Sequence, residues 1–137
     1  MILVSACLLG DNCKYNGGNN LNNKVIEYLK DKEYLKVCPE VLGGLRTPRS
    51  PSEIVDGKVI NKEGIDVTKY FIKGKDEVLK LIKDKKIDLA IMKANSPSCG
   101  YKKIYDGTFS KNLIDGNGIL VNELCKLGVK IITENDL

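Results

Sequence analysis

Four short apolar segments divide the chain, and the first three lead into loops rich in glycine, proline, asparagine or serine. The segments are residues 2–6, 34–37, 87–92 and 129–132. Short runs rich in valine, isoleucine and leucine are typical of strands that are buried on both faces of a parallel sheet. The pattern therefore predicts a core sheet of four strands.

Three stretches between these segments repeat apolar residues at the spacing of an amphipathic helix. They are predicted to span residues 21–29, 68–85 and 118–127, and Asn19 or Asn20 is expected to cap the first. Each stretch would place one apolar face against the sheet. The residues predicted to face inward are Leu21, Val25, Tyr28, Leu29, Phe71, Val78, Leu81, Ile82, Leu120, Leu124 and Leu127.

The order of these elements predicts the fold class. Asp56-Gly57, between residues 54–55 and 59–60, is typical of a two-residue turn in a β-hairpin. Residues 39–52 show no periodicity and are predicted to form a loop. We expect an α/β protein with a small doubly wound, Rossmann-like three-layer fold. Its mainly parallel four-stranded sheet would be ordered 2-1-3-4, with the β-hairpin inserted.

Composition limits the classes of function. The length of 137 residues is typical of one domain, and we expect residues 1–137 to form a single domain. Residues 1–9 are too short to span a bilayer and lack the basic leader of a signal peptide, so a cytoplasmic protein is expected. The net charge of +4 comes from lysines that are spread along the chain, which does not favour nucleic acid as a partner. The absence of histidine excludes imidazole chemistry and zinc sites that contain histidine.

Three of the five cysteines lie where predicted parallel strands end. Cys7, Cys38 and Cys99 are far apart in sequence, but the carboxyl ends of parallel strands meet at one edge of a sheet. Loops rich in glycine, proline and serine flank all three and would leave backbone amides free to bind sulfur. We therefore expect a metal or cofactor site there. Three protein ligands would leave one coordination position open.

The other two cysteines are interpreted differently. Cys13 follows Cys7 in a loop and is consistent with a fourth ligand, a resolving thiol or a structural residue. Cys125 lies beside Leu124 and is predicted to be a small apolar residue near the inner face of the last helix.

Six segments in a fixed order resemble the family known as domain of unknown function 523, which is typified by thiouracil desulfidases. The resemblance covers nearly the whole chain. It implies a [4Fe-4S] cluster held by Cys7, Cys38 and Cys99, with the fourth iron free to bind the sulfur of a small thiolated substrate. The segments are SACLLG at 5–10, CKYNG at 13–17, CPEVLGG at 38–44, TPR at 47–49, SPSCG at 96–100 and YDGTF at 105–109.

Hydrolytic removal of sulfur requires a group that accepts a proton from water. Without histidine, Glu40 is the best-placed carboxylate, because it lies close to Cys38 in sequence. Ser96 and Ser98 are candidates to relay protons or to position the substrate. Both serines are equally typical of turns and caps.

The two arginines lie close together in the loop after Cys38. Arg46 and Arg49 are predicted to contact the substrate, because a guanidinium group binds planar polar groups through two hydrogen bonds. The alternative is a structural tie to a carbonyl or a carboxylate. Tyr15 and Tyr101 are candidates to stack on a planar base.

The sequence thus predicts an iron-sulfur-dependent desulfidase that releases sulfide from a small compound such as a thiopyrimidine. Two alternatives stay open. One is a non-enzymatic module in which Cys13 completes a closed zinc or cluster site. The other is a metal-free thiol enzyme that carries sulfur as a persulfide on Cys99.

Overall fold

The computed structural model describes residues 1–137 and contains eight strands and four α-helices. Two 3-10 turns, Ala6–Leu9 and Glu134–Asp136, follow the first and the last strand. In chain order the elements are β1 (Ile2–Ser5), α1 (Asn23–Leu29), β2 (Tyr34–Val37), α2 (Pro39–Leu42), β3 (Ser52–Val55), β4 (Lys58–Asn61), α3 (Thr68–Ile82), β5 (Leu89–Met92), β6 (Lys103–Tyr105), β7 (Leu113–Asp115), α4 (Ile119–Lys126) and β8 (Ile131–Thr133).

The central sheet consists of four parallel strands in the order β2-β1-β5-β8. This order confirms the arrangement predicted from the sequence. Ile2 lies between Tyr34 of β2 and Leu89 of β5, and Ala90 pairs with Ile131 of β8. All four strands therefore point their carboxyl ends toward the same edge.

Helices cover both faces of the sheet and make three layers. Leu3 and Met92 pack with residues of α3 and α4, whereas Val4 and Ile91 pack with α1. Neighbouring strand residues point to opposite faces, so each strand supplies apolar side chains to both layers. No helix of the fold is both long and apolar enough to cross a membrane.

Two antiparallel hairpins stand outside this sheet. Strands β3 and β4 form the hairpin predicted at Asp56-Gly57, where both residues adopt the positive φ angles that a tight turn requires. The second hairpin pairs β6 with β7 and was not predicted. The three residues of β7 are all exposed, so neither face of the strand has to be apolar. The sequence therefore shows no alternation of apolar and polar side chains there.

The first helix begins later than the sequence suggested. Asn22 caps α1, because its side-chain oxygen accepts hydrogen bonds from the backbone N–H groups of Lys24 and Val25 at 3.0 and 3.2 Å. The prediction of Asn19 or Asn20 as the cap is therefore wrong. Leu21 precedes the helix and is exposed.

The ends of the other two long helices also differ from the prediction. α3 ends at Ile82 rather than near residue 85, and Leu81 is exposed. Leu127 follows the end of α4 and points to solvent. Cys125 is exposed rather than inward-facing, because it lies about 100° around the helix from the buried Leu124.

A short helix replaces part of the predicted loop at residues 39–52. Proline at the first helical position pre-sets the backbone angle, and Pro39 begins α2 with Cys38 as its N-cap residue. The helix has only four residues, which is too short to show a helical repeat in the sequence.

Two glycines allow α2 and α3 to approach backbone to backbone. A Cβ atom added at Gly43 would lie 1.9 Å from the Tyr70 oxygen, and one added at Gly74 would lie 1.9 Å from the Pro39 oxygen. Neither backbone oxygen can move without displacing its helix. The contact therefore fixes α2, which begins directly after Cys38.

Gly74→Ala is expected to lower the free energy of unfolding by about 1–3 kcal/mol, because the added methyl group forces α2 away from α3. Lys73→Ala, at an exposed position of the same helix, should change it by less than about 0.5 kcal/mol. Urea denaturation monitored by circular dichroism measures both changes. A Gly74→Ala midpoint equal to that of the wild-type chain would contradict the packing argument.

Candidate active site

A cavity of about 380 Å³ lies outside the carboxyl ends of β1, β2 and β5. Ser5, Val37 and Lys93, at or next to the ends of these strands, all line it. Residues of the β3–β4 hairpin and of the loop between β6 and β7 complete the wall. This is where ligands bind in open parallel sheets.

The structure brings the three predicted cysteines together at this cavity. Cys7 lies in the 3-10 turn after β1, Cys38 is at the start of α2, and Cys99 lies in the loop after β5. Cys7 and Cys38 are half-buried, Cys99 is buried, and none forms a disulfide. Cys13 also lines the cavity, whereas Cys125 does not.

Polar side chains contact two of the three sulfur atoms. The Asn20 amide donates to Cys7 Sγ at 3.4 Å. Ser98 Oγ lies 3.6 Å from Cys99 Sγ, and its single hydroxyl hydrogen can point either to this sulfur or to Glu40. Hydrogen bonds of this kind stabilise thiolates and orient them as ligands. Sequence reasoning considered Asn20 only as a helix cap.

Burial shapes the acidity of these thiols. It raises the pKa of Cys7, although the hydrogen bond from Asn20 opposes the shift. It also raises the pKa of Cys99 to about 12, and hydrogen bonds from Ser5 and Ser98 offset only part of this effect. Metal ions bind thiolates and displace their protons, so a cationic centre would compensate for the burial. The donor set of three clustered cysteines therefore fits an iron-sulfur cluster.

Cys38 lies against the loop residue Cys13. Cys38 Sγ lies 3.8 Å from the Cys13 backbone oxygen. A hydrogen bond from the Cys13 thiol lowers the pKa of Cys38 to about 7, and the same interaction raises the pKa of Cys13. Cys38 is thus the thiol of this site that ionises most readily.

Glu40 and Arg49 form a largely buried ion pair at the cavity. Arg49 donates from Nε and Nη2 to Glu40 Oε1, at 3.2 and 3.1 Å. Its remaining N–H groups donate to the Cys13 oxygen, the Arg46 oxygen and Thr47 Oγ1. All five N–H groups of Arg49 are therefore used inside the protein.

These contacts change the roles predicted for the two arginines. Arg49 lines the cavity but has no N–H group free for a substrate, so it acts as a tie between Glu40 and the Cys13 loop. The side chain of Arg46 is exposed and does not line the cavity. Only its backbone oxygen takes part, because the loop turns the side chain outward.

Two serines connect Glu40 to the Cys99 loop. Ser98 Oγ lies 3.2 Å from Glu40 Oε2 and 3.4 Å from Ser96 Oγ. Ser96 Oγ in turn accepts a hydrogen bond from the Cys99 backbone N–H at 2.7 Å. Glu40, Ser98 and Ser96, which were all predicted to be functional, thus form one continuous polar chain beside Cys99.

Aromatic side chains form another part of the cavity wall. Tyr15 lines the cavity and is exposed, as a stacking residue would be. Tyr101 does not line it and packs against the main core, which corrects the suggestion that it stacks on a substrate. Phe109 lines the cavity and was missed, although the YDGTF segment that contains it is one of the family motifs.

An ion pair at the ends of β5 and β8 was also missed. Lys93 Nζ lies 2.9 Å from Glu134 Oε2, while Glu134 Oε1 accepts a hydrogen bond from the Ala94 backbone N–H. Burial raises the pKa of Cys7; the positive charge of Lys93 opposes this rise, and the negative charge of Glu134 adds to it. Lys93 directly follows a predicted strand, so the argument that located the cysteines applies to it as well.

Comparison with known proteins shows similarity along the whole chain. A sequence profile of the family described as 2-thiouracil desulfurase matches residues 2–136. The uncharacterized protein YbbK of Bacillus subtilis (strain 168) is 40% identical over an alignment of 147 positions, which covers 100% of this chain and 97% of that protein. A solved structure, that of the [4Fe-4S]-dependent thiouracil desulfidase TudS, matches with a TM-score of 0.91 and 37% identity. The match covers 99% of this chain and 91% of that one.

Cys13→Ala is expected to slow alkylation of Cys38 about tenfold at pH 7, because losing the hydrogen-bond donor returns the thiol toward a pKa of about 8.5. In the wild-type apoprotein, alkylation of Cys38 should rise with pH with a midpoint near 7, since only the thiolate reacts. Timed iodoacetamide labelling with peptide mass spectrometry measures both rates. Cys125 should label equally fast in both proteins, and an unchanged Cys38 midpoint would contradict the effect of Cys13 on the pKa of Cys38.

Proposed function

Because the chain belongs to the 2-thiouracil desulfurase family, we propose that it is an enzyme that removes sulfur from a thiopyrimidine and releases sulfide with the help of a [4Fe-4S] cluster. One observation carries the proposal: three thiols from three separate loops line one cavity together with Glu40 and Ser98. The match to a solved [4Fe-4S]-dependent desulfidase supports the same cofactor here.

Cys7, Cys38 and Cys99 are the residues that would hold the cluster. When bound, the cluster would supply an iron atom without a protein thiolate, a Lewis acid that can withdraw electrons from a thiocarbonyl group. Asn20 would stabilise the Cys7 thiolate through its hydrogen bond to sulfur.

The overall reaction is hydrolytic and involves no net oxidation. A water oxygen forms a bond to the ring carbon, the carbon–sulfur bond breaks, and sulfur leaves as sulfide while the carbon becomes a carbonyl. The attacking water must lose protons, and the departing sulfur can take them up as hydrogen sulfide. The protein therefore has to hold and move protons close to the reacting carbon.

Glu40 is the proposed proton acceptor. Arg49 binds Glu40 Oε1 through two N–H groups, which fixes the carboxylate and leaves Oε2 directed toward Ser98. A water molecule can pass its proton to Oε2 directly or through the Ser98 hydroxyl. Ser96 Oγ accepts a hydrogen bond from the Cys99 backbone N–H. This bond fixes the loop after β5, which also carries Ser98. Tyr15 would stack on the planar ring at the cavity wall.

The surroundings of Cys99 argue against a metal-free persulfide mechanism. A persulfide carrier needs a reactive, partly exposed thiolate. Cys99 is buried, and its burial raises the pKa of the thiol to about 12. These properties favour a thiol that is ionised only when it binds a metal.

Serine substitutions separate the proposed ligands from the other cysteines. After anaerobic reconstitution, the wild-type chain should contain about four iron atoms and release sulfide from 2-thiouracil. Cys7→Ser, Cys38→Ser and Cys99→Ser should each lose most of the iron and the activity, because a thiolate ligand is missing. Cys125→Ser, which changes an exposed thiol outside the cavity, should retain both. Iron, acid-labile sulfide and released sulfide are measured on the same samples.

Cys13→Ser decides between an open and a closed cluster. An open cluster with three ligands should retain its iron in this variant. Loss of iron comparable to that in Cys7→Ser would instead indicate four protein ligands, and would contradict a substrate-binding iron. A wild-type chain that binds no iron under these conditions would overturn the proposed cofactor.

Glu40→Gln is expected to lower kcat by about 10²–10⁴, because the amide cannot accept the proton, while the iron content stays at the wild-type level. Glu33→Gln, at an exposed position outside the cavity, should have wild-type kcat. Steady-state sulfide release at saturating 2-thiouracil measures the effect. A Glu40→Gln enzyme with wild-type kcat would remove Glu40 from the mechanism.

A further inference from the structure

Glu53 is a buried carboxylate without a cationic partner. It lies in β3 opposite Ile60 of β4, and only 8% of its surface is exposed. It takes part in none of the ion pairs of the structure. Burying an ionised carboxylate in this way is costly unless its oxygens receive hydrogen bonds.

Only one of its two oxygens is occupied. Glu53 Oε1 accepts hydrogen bonds from the backbone N–H groups of Gly107 and Phe109, at 2.9 and 3.1 Å. Glu53 Oε2 has no donor in the protein. Every side-chain oxygen or nitrogen that is fully buried has a hydrogen-bond partner. Since Oε2 has no partner, it is not fully buried and can be reached by solvent. Glu53 is itself one of the residues that line the active-site cavity.

A purely structural role does not require a carboxylate at this position. The bond to the loop of Gly107 and Phe109 uses one acceptor oxygen, which a glutamine amide supplies without a buried charge. Glu53 lines the cavity of about 380 Å³ together with Glu40, Ser98 and the three cysteines, and its second oxygen is an acceptor that no protein group occupies. It is suited to bind a donor on a small ligand.

We propose that Glu53 Oε2 accepts a hydrogen bond from a ring N–H group of the substrate, which makes Glu53 a specificity-determining residue. This inference rests on the proposed function and narrows its substrate class to thiopyrimidines in the thione form that retain a ring N–H. Thiouracil carries N–H groups on both sides of its 2-thiocarbonyl carbon. Analogues alkylated at these nitrogens offer no donor and leave the buried oxygen without a partner, which weakens binding.

The test combines a change in the protein with a change in the ligand. Glu53→Gln keeps one oxygen for the loop and replaces the second oxygen with an amide donor. Binding of uracil and of 1,3-dimethyluracil to the anaerobically prepared protein is measured by NMR titration, which requires no turnover. The preference for uracil is the Kd of 1,3-dimethyluracil divided by the Kd of uracil. This ratio should be about tenfold to a hundredfold larger for the wild-type chain than for Glu53→Gln. Glu27→Gln, at an exposed position on α1, should show the wild-type preference.

Equal preferences in the wild-type chain and Glu53→Gln would overturn the inference and leave Glu53 as a loop tie. Failure of the wild-type chain to bind uracil would overturn it too. If Glu53→Gln does not fold, as judged by circular dichroism, the ligand comparison on the wild-type chain decides. A tenfold preference for uracil over 1,3-dimethyluracil supports the role, and equal affinities contradict it.

Sulfide release from 2-thiouracil by the wild-type enzyme distinguishes this inference from the proposed function. Release without the Glu53-dependent preference would overturn the role of Glu53 alone. The preference without any release would support the ring-binding role and overturn the proposed reaction.

Discussion

The parallel pairing of β1, β2 and β5 is the constraint on which the site depends. Because these strands run in the same direction, the chain leaves the sheet three times at one edge and places Cys7, Cys38 and Cys99 around one cavity. No short sequence motif is needed to bring the three thiols together. Burial then disfavours ionisation of Cys7 and Cys99, so a cationic centre is the natural partner of this arrangement.

The second level of organisation is a set of ties that hold the loops after these strands. Arg49 connects Glu40 to the loop of Cys13, and Ser98 connects Glu40 to the loop of Cys99. The close packing of α2 on α3 fixes the segment that carries Glu40. The proposed proton acceptor and the proposed cluster ligands are thus parts of one connected structure, which gives these groups fixed relative positions before a substrate binds.

The sequence predicted the features that depend on local pattern and general topology. The strand order, the Asp56-Gly57 hairpin and the meeting of the three cysteines follow from apolar runs, turn residues and the geometry of parallel sheets. The sequence did not predict features that depend on contacts between distant parts of the chain. Several neighbouring asparagines are able to cap α1, and the fold uses Asn22 for this purpose while Asn20 contacts Cys7. The full use of the Arg49 donors likewise depends on a loop conformation that no sequence pattern encodes.

We propose that Cys7, Cys38 and Cys99 would hold a [4Fe-4S] cluster and would leave one of its irons without a protein ligand. Mössbauer spectroscopy of protein reconstituted anaerobically with ⁵⁷Fe tests it most directly, because it distinguishes the individual iron environments. The account predicts one iron environment that differs from the other three and that changes when 2-thiouracil is added. Four equivalent irons, or a spectrum that the substrate does not alter, would contradict it.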